Sequence, residues 1–240
     1  MEQFIRSELV FGREAMRKLR QSHVAVFGVG GVGGYAVEAL ARGGVGTLTL
    51  VDNDDVALSN LNRQIIATHD TLGRPKVEVA AERVRSINPD CHVFPKRVFF
   101  LPETADQFDF SAYDYVIDAI DTVAGKLMLI EACRAANTPI LCAMGAGNKT
   151  DPTAFRVADL EHTSVDPLAR AMRTQCRRRG IRDVRVVYST EEPRPPASEA
   201  ALAAVQAQTP NRRATPGSTS FVPPVVGLIL AGEVIKSLIQ

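Results

Sequence analysis

The sequence predicts an α/β protein built on a doubly wound, mostly parallel sheet, and three features predict it. Short apolar, β-branched runs alternate with amphipathic segments at short intervals through residues 23–143. The first run passes straight into a glycine-rich turn that opens a helix. Gly28, Asp52 and Asp121 each fall where a strand ends, which is the edge on which such sheets bind ligands.

Taken in order, residues 1–22 are rich in Arg and Lys and read as helices. Their apolar positions Phe4, Ile5, Leu9, Val10 and Phe11 suit docking onto a core or a second subunit. Val24–Phe27 reads as a buried parallel strand rather than an amphipathic one. Gly28, Gly30, Gly31 and Gly33 follow, and Tyr35–Ala41 reads as a helix. This Rossmann-like strand–turn–helix lets the backbone approach a phosphate and offers it the helix's unpaired N–H groups. Thr47–Val51 is the second strand and ends at Asp52, about 20 residues beyond the glycines, where a ribose-binding carboxylate belongs. The plain alternative, a turn that only packs helix on strand, leaves Asp52 without a reason. A nucleotide binds here.

Residues 75–87 form an amphipathic helix, with Val77, Ala80, Ala81 and Val84 on one face and Asn88-Pro89-Asp90 as its stop. Val93–Phe100 reads as the third strand and Pro102–Asp109 as a short connecting helix. Tyr115–Ile120 is the fourth strand, 123–136 a helix and Ile140–Ala143 the fifth strand. Gly145-Ala146-Gly147-Asn148 either leaves room for a substrate or is an ordinary turn. Asp151–Asp159 has turn and strand character, and Val165–Gly180 contains a helix. Residues 191–216, dominated by Pro, Ala, Ser and Gln, read as a mobile loop. Phe221–Ile239 is a helix buried on more than one side; Gly232, Glu233 and Lys236 argue against a membrane anchor. The expectation is one domain over 1–240: N-terminal helices 1–22, a nucleotide-binding core 23–150, and a substrate, crossover and closing part 151–240.

Composition narrows the function. A net charge of +1 predicts no general attraction to polyanions, so nucleic-acid contact needs a local patch. Cys91, Cys133, Cys142 and Cys176 form no C-x-x-C pair, which argues against a structural zinc site, and give no disulfide framework. No N-terminal signal is present, and the expected location is the cytoplasm.

Ser59-Asn60-Leu61-Asn62-Arg63-Gln64 follows the second strand, and Lys76 follows Gly73-Arg74-Pro75. Taken alone, Arg63 and Lys76 are ordinary surface cations. In register with the glycines and Asp52, they place two fixed positive charges at one end of the nucleotide, which favours ATP over NAD. Asp118 and Asp121 at the end of the fourth strand put carboxylates beside those phosphates, as Mg²⁺ requires.

These motifs carry a resemblance. VxGxGGVG, LVDNDDVALSNLNRQ, GRPKVE and DAIDT, with RSELVFG near the start and GSTSFVPPVVGLILAGEVIKSLI at the end, resemble the E1-like (ubiquitin-activating) adenylation superfamily. INPDC and DPTAFRVADLEHTSVDPLARAMR are similar to its tRNA threonylcarbamoyladenosine dehydratase group in particular. The resemblance implies an E1-like C-terminal extension, carboxylate adenylation with ATP and Mg²⁺, and a homodimer. In such dimers an arginine of the first helix reaches the partner's ATP; Arg6 matches by position and Arg13 is the alternative, while a solvated helix arginine is the plain reading of both. The nucleotide site it implies comprises Gly28, Gly30, Gly31, Gly33, Asp52, Asp54, Ser59, Asn60, Arg63, Lys76, Asp121 and Thr122, with Asp121 on Mg²⁺ and Arg63, Lys76, Asp121 and Arg6 serving catalysis. It leaves room for a monovalent cation and a sulfur-relay partner protein.

The resemblance further implies that the carboxylate is that of the threonylcarbamoyl group on adenosine 37 of tRNA, activated and then closed to a ring with loss of water. The alternative is activation of the C-terminus of a ubiquitin-like sulfur carrier. Arg170, Arg173, Arg177, Arg178 and Arg179, with Arg182 and Arg185 behind them, form a local basic patch. Arg173, Arg177, Arg178 and Arg179 are the expected tRNA-backbone contacts; the other reading is a solvated helix face paired with acids. Cys176 among these arginines is either a low-pKa thiol or a packing cysteine.

Overall fold

The computed structural model describes residues 2–208 and 216–240. Its strands are β1 (His23–Phe27), β2 (Thr47–Val51), β3 (His92–Lys96), β4 (Tyr115–Asp118), β5 (Ile140–Ala143), β6 (Phe155–Asp159) and β7 (Arg185–Ser189). They form one seven-stranded sheet in the order β3-β2-β1-β4-β5-β7-β6. All neighbours are parallel except β6 and β7. The helices are α1 (Ile5–Phe11), α2 (Arg13–Gln21), α3 (Gly33–Gly43), α4 (Lys76–Ile87), α5 (Val123–Ala136), α6 (Pro167–Arg178), α7 (Glu199–Gln208) and α8 (Val222–Ile239).

The apolar runs become strands because both sheet faces are covered. Val24, Val26, Leu48 and Leu50 are buried in one cluster with residues of α3, α4 and α8. Ala25, Phe27, Val51 and Val116 point the other way, into a cluster with Leu129 and Cys133 of α5. Phe27 lies among Phe100, Phe108 and Phe110 at centroid separations of 5.0, 5.2 and 5.9 Å. Burial of each such ring is worth about 1.5–3 kcal/mol. Gly227 brings α8 against the start of α3: a Cβ there would stand 2.2 Å from the Val32 carbonyl oxygen. α8 is long and apolar enough for a membrane span, but Val226, Leu230, Ala231 and Val234 are buried in this packing.

Several boundaries differ from the sequence reading, for reasons of pairing. β3 stops at Lys96 rather than Phe100 because β2 ends at Val51, its partner, and leaves no ladder to join. Phe100 instead turns inward onto Phe27. β4 likewise stops at Asp118, opposite Phe27, rather than Ile120. The helix expected at Tyr35–Ala41 extends over Gly33–Gly43. The connecting helix is a 3₁₀ stretch, Pro102–Gln107. β7 was not expected, although Val186-Val187-Tyr188 is a strand-like run; it adds to β5 and receives β6. The loop expected over 191–216 contains α7, an Ala-rich helix with a good intrinsic propensity. Of that expectation, residues 209–215 lie outside the described residues.

Candidate active site

Strand order reverses between β1 and β4, and a cavity of about 720 Å³ opens there at the carboxyl ends of the strands. Gly28, Gly30, Gly31, Asp52, Arg63, Lys76, Asp121 and Thr122 line one arm of it. The β1–α3 turn is possible only with glycine at its closest points. Gly28 has φ 90°, and a Cβ on it would lie 2.6 Å from the Ala119 oxygen. A Cβ on Gly33 would lie 1.7 Å from the Gly28 oxygen, so Gly33 closes the turn from behind and does not line the cavity.

Asp52 ties this turn to the end of β2. Its Oδ2 accepts from the Val29 N–H at 2.7 Å and its Oδ1 from the Asp54 N–H at 2.9 Å. Lys76, 5 % exposed at the start of α4, donates to Asp54 Oδ2 at 2.8 Å. Asp54 is therefore the counter-ion of Lys76 and is not among the residues lining the cavity. Arg63 donates through Nη1 to the Ser59 carbonyl at 3.0 Å and to Asn62 Oδ1 at 2.8 Å. Burial lowers its pKa, yet a guanidinium remains charged at neutral pH. Ser59 and Asn60, expected on the nucleotide, are outside the cavity too: Ser59 orients Arg63, and Asn60 Oδ1 accepts from the Ala57 N–H at 3.0 Å.

Asp118 and Asp121 separate into different roles. Asp118 is fully buried and bonded to Lys126 of α5 at 3.0 Å; Lys126 also donates to the Ala143 oxygen at 2.7 Å. The pair locks the ends of β4 and β5 together, so Asp118 is not available to a metal. Asp121 is exposed on the cavity wall, beside Thr122 at the start of α5. Among the described residues, no group of three or more His, Cys, Asp and Glu side chains converges to hold a metal. A single carboxylate still fits Mg²⁺, which keeps its waters and takes most other ligands from substrate phosphates.

Features not anticipated complete the cavity. Val98, Phe99 and Phe100 supply an apolar wall suited to a base. Gln64 lines the cavity at 6 % exposure, and its buried Oε1 has no hydrogen-bond partner. Its place directly after Arg63 was the available signal. The other arm is lined by Met144, Gly145–Lys149, Leu168, Pro193 and Pro216–Ser218. Of the two readings of the Gly145–Asn148 turn, the cavity supports the one that leaves room for a substrate. Lys149 is 3 % exposed and donates to the Gly145 oxygen at 2.6 Å and to Asp166 at 3.0 Å. Asp166 also caps α6 by accepting from the Ala169 N–H at 2.8 Å.

The arginine patch is largely committed to neighbours. Arg177 makes a two-pronged pair with Glu161, Arg179 meets Glu131 at 2.9 Å and Arg173 donates to the Thr163 oxygen at 3.0 Å. Arg178 and Arg170 are exposed and form no salt bridge among the described residues. Cys176 is 1 % exposed among Met172, Ile181 and Val184, and burial raises its pKa; the activated-thiol reading is overturned. Arg6 and Arg13 lie on α1 and α2, away from the protomer's own cavity, with Arg13 paired to Glu8 at 3.3 Å.

Known proteins of similar sequence and structure agree with this geometry. The tRNA threonylcarbamoyladenosine dehydratase of Bacillus subtilis is 44% identical over 243 residues, which cover 100% of this chain and 96% of that one. The Escherichia coli tRNA N6-threonylcarbamoyladenosine dehydratase in complex with AMP superposes with a TM-score of 0.88 at 36% identity, over 99% of this chain and 94% of that one. Its complex with ATP gives 0.87 at 36% identity, over 99% and 93%. The ThiF family model matches residues 4–240, and the chain belongs to the ThiF family of E1-like proteins.

Proposed function

We propose that this chain is an ATP-dependent tRNA threonylcarbamoyladenosine dehydratase that works by carboxylate adenylation. The observation that carries the reading is the near full-length likeness to a dehydratase solved with ATP and with AMP, on a chain whose cavity joins a phosphate-binding turn to a second, open arm. The glycine turn and the N-terminus of α3 hold the phosphates, Asp52 the ribose, and Val98–Phe100 the base. A carboxylate oxygen of the threonylcarbamoyl group on adenosine 37 attacks the α-phosphorus, and pyrophosphate leaves. A nucleophile within the same group then attacks the acyl carbon, and AMP departs with the carboxylate oxygen, so the nucleoside loses the elements of water. An internal nucleophile needs no thioester relay, consistent with a buried Cys176.

Arg63 and Lys76 stabilise the charge that develops on the phosphates. Asp121 would hold Mg²⁺, which supplies further neutralisation of the phosphates when bound. Ile5, Leu9 and Val10 are 58%, 83% and 77% exposed on α1, which supports a homodimer in which this face is covered and Arg6 reaches the partner's site; a tRNA substrate fits a cytoplasmic location. The test is mass spectrometry of tRNA nucleosides after incubation with protein, ATP and Mg²⁺. A nucleoside lighter by one water, formed only with ATP, is the expected result. An unchanged nucleoside with tRNA bound would overturn the reading in favour of a protein carboxylate.

A further inference from the structure

Both ends of the stretch joining Arg194 to Pro216 are fastened to a single residue. Asn148 follows β5 and sits in the left-handed region at φ 57°. Its carbonyl accepts from the Arg194 N–H at 2.8 Å, at the near end of the stretch. Its N–H donates to the Gly217 oxygen at 2.8 Å, and its Oδ1 accepts from the Gly217 N–H at 2.6 Å, at the far end. Gly147 beside it admits Pro216 closely: a Cβ there would lie 2.6 Å from the Pro216 Cβ. Glu191 adds a second tie on the near side, accepting from the Thr150 and Asp151 N–H groups at 3.0 and 2.9 Å.

The fastening reaches the nucleotide arm as well. Ser218, next to Gly217, accepts from Asn62 Nδ2 at 3.1 Å, and Asn62 Oδ1 accepts from Arg63. Pro193, Gly217 and Ser218 all line the cavity. In the wall of the second arm, which we call the acceptor arm, Asn148 Oδ1 thus supplies a side-chain bond that closes the clasp on Gly217, while the glycine turn of the ATP arm is held by its own backbone and Asp52.

We propose that Asn148 is a positioning residue: by clasping Arg194 and Gly217 together it sets the acceptor arm for the target nucleoside, without itself binding ATP. This rests on the dehydratase reading above. Asn148→Gly tests it, because glycine takes the left-handed backbone freely, keeps both main-chain bonds and removes only the Oδ1 bond to Gly217. The expected result is a KM for tRNA raised about tenfold, the scale of one hydrogen bond, with the Kd for ATP and the melting temperature held. Asn148→Asp keeps the acceptor oxygen and should restore the tRNA KM. Amide hydrogen exchange without substrates should show Gly217 protected in the wild type and in the Asp variant, and fast in the Gly variant. A wild-type tRNA KM in Asn148→Gly, a parallel change in ATP affinity, or a protected Gly217 amide would overturn the clasp. Absence of dehydrated nucleoside with the wild-type protein would instead overturn the underlying reading, and Gly217 exchange would still decide whether the clasp exists.

Discussion

The two arms of the cavity are built in different ways. The nucleotide arm draws most of its polar groups from one stretch of chain, Gly28, Gly30, Gly31, Asp52, Arg63 and Lys76, to which Asp121 and Thr122 are added, and the bonds that fix Asp52, Arg63 and Lys76 lie within that stretch. The acceptor arm is assembled from the loop after β5, the start of α6, Pro193 and Pro216–Ser218, joined by the buried Lys149–Asp166 pair and by bonds between residues far apart in sequence. Each half of the active site therefore fails by its own route. Steric damage to backbone geometry destroys the first, and loss of a long-range polar partner loosens the second.

The largest expected effect tests that division with two glycines. Gly33→Ala places a methyl group 1.7 Å from a main-chain oxygen that cannot move without opening the phosphate turn. It should abolish measurable ATP binding and lower stability by about 3 kcal/mol or more. Gly147→Ala meets the Pro216 ring at 2.6 Å and the Gly217 oxygen at 3.3 Å, both on the second arm, and should leave ATP affinity near wild type while weakening tRNA turnover. Calorimetric titration with ATP separates the two; equal losses of ATP affinity would erase the distinction between the arms.

That difference also explains what the sequence made legible. The doubly wound sheet and the phosphate turn follow from the apolar runs and from the glycine spacing with Asp52, because those signals lie within one short stretch. Lys76 and Arg63 are legible by register, whereas the bonds of Asp54 to Lys76 and of Ser59 to Arg63 depend on side-chain direction, which the sequence does not carry. Asp118 and Asp121 look equivalent as strand-end acids; only Lys126, a turn further on in α5, withdraws Asp118 into the core. Lys149 and Asp166 gave no signal at all, since their pairing joins two loops that only the fold brings together. The Arg run was visible, whereas Glu161 and Glu131, which neutralise part of it, lie 16 and 48 residues from their partners.

Next in size is the buried pair on the acceptor arm. Lys149→Met leaves the fully buried Asp166 without its counter-ion and should cost about 3–5 kcal/mol in urea denaturation. Adding Asp166→Asn, which retains an N-cap oxygen for α6, should recover part of that loss. Stability of the single variant equal to wild type would show that the two arms are not held by different forces.

A smaller effect belongs to the arginines. Arg177 is occupied by Glu161, which stands at a depressed pKa chiefly through its hydrogen bond to Arg177. Arg178 is exposed and without a salt bridge among the described residues, so it is expected to serve phosphate better than Arg177 does. Arg178→Ala should reduce the salt dependence of tRNA binding by about one phosphate contact, and Arg177→Ala by less. Equal slopes for both variants and the wild type, from binding titrations at several salt concentrations, would return the whole patch to a solvated helix face.

The smallest expected effect concerns the thiols. Burial pushes Cys91 up to about 11 and Cys133 up to about 12, and raises Cys142 and Cys176 as well. All four are therefore protonated near pH 8, and a protonated, enclosed thiol reacts slowly with an alkylating agent. Iodoacetamide at that pH should label the native protein negligibly over the time that labels the urea-unfolded protein fully, and dehydratase turnover should survive the treatment. Rapid labelling of Cys176 with loss of turnover would place a working thiolate beside α6. It would mean that the acceptor arm carries covalent chemistry of its own instead of holding the nucleoside while ATP's arm activates it.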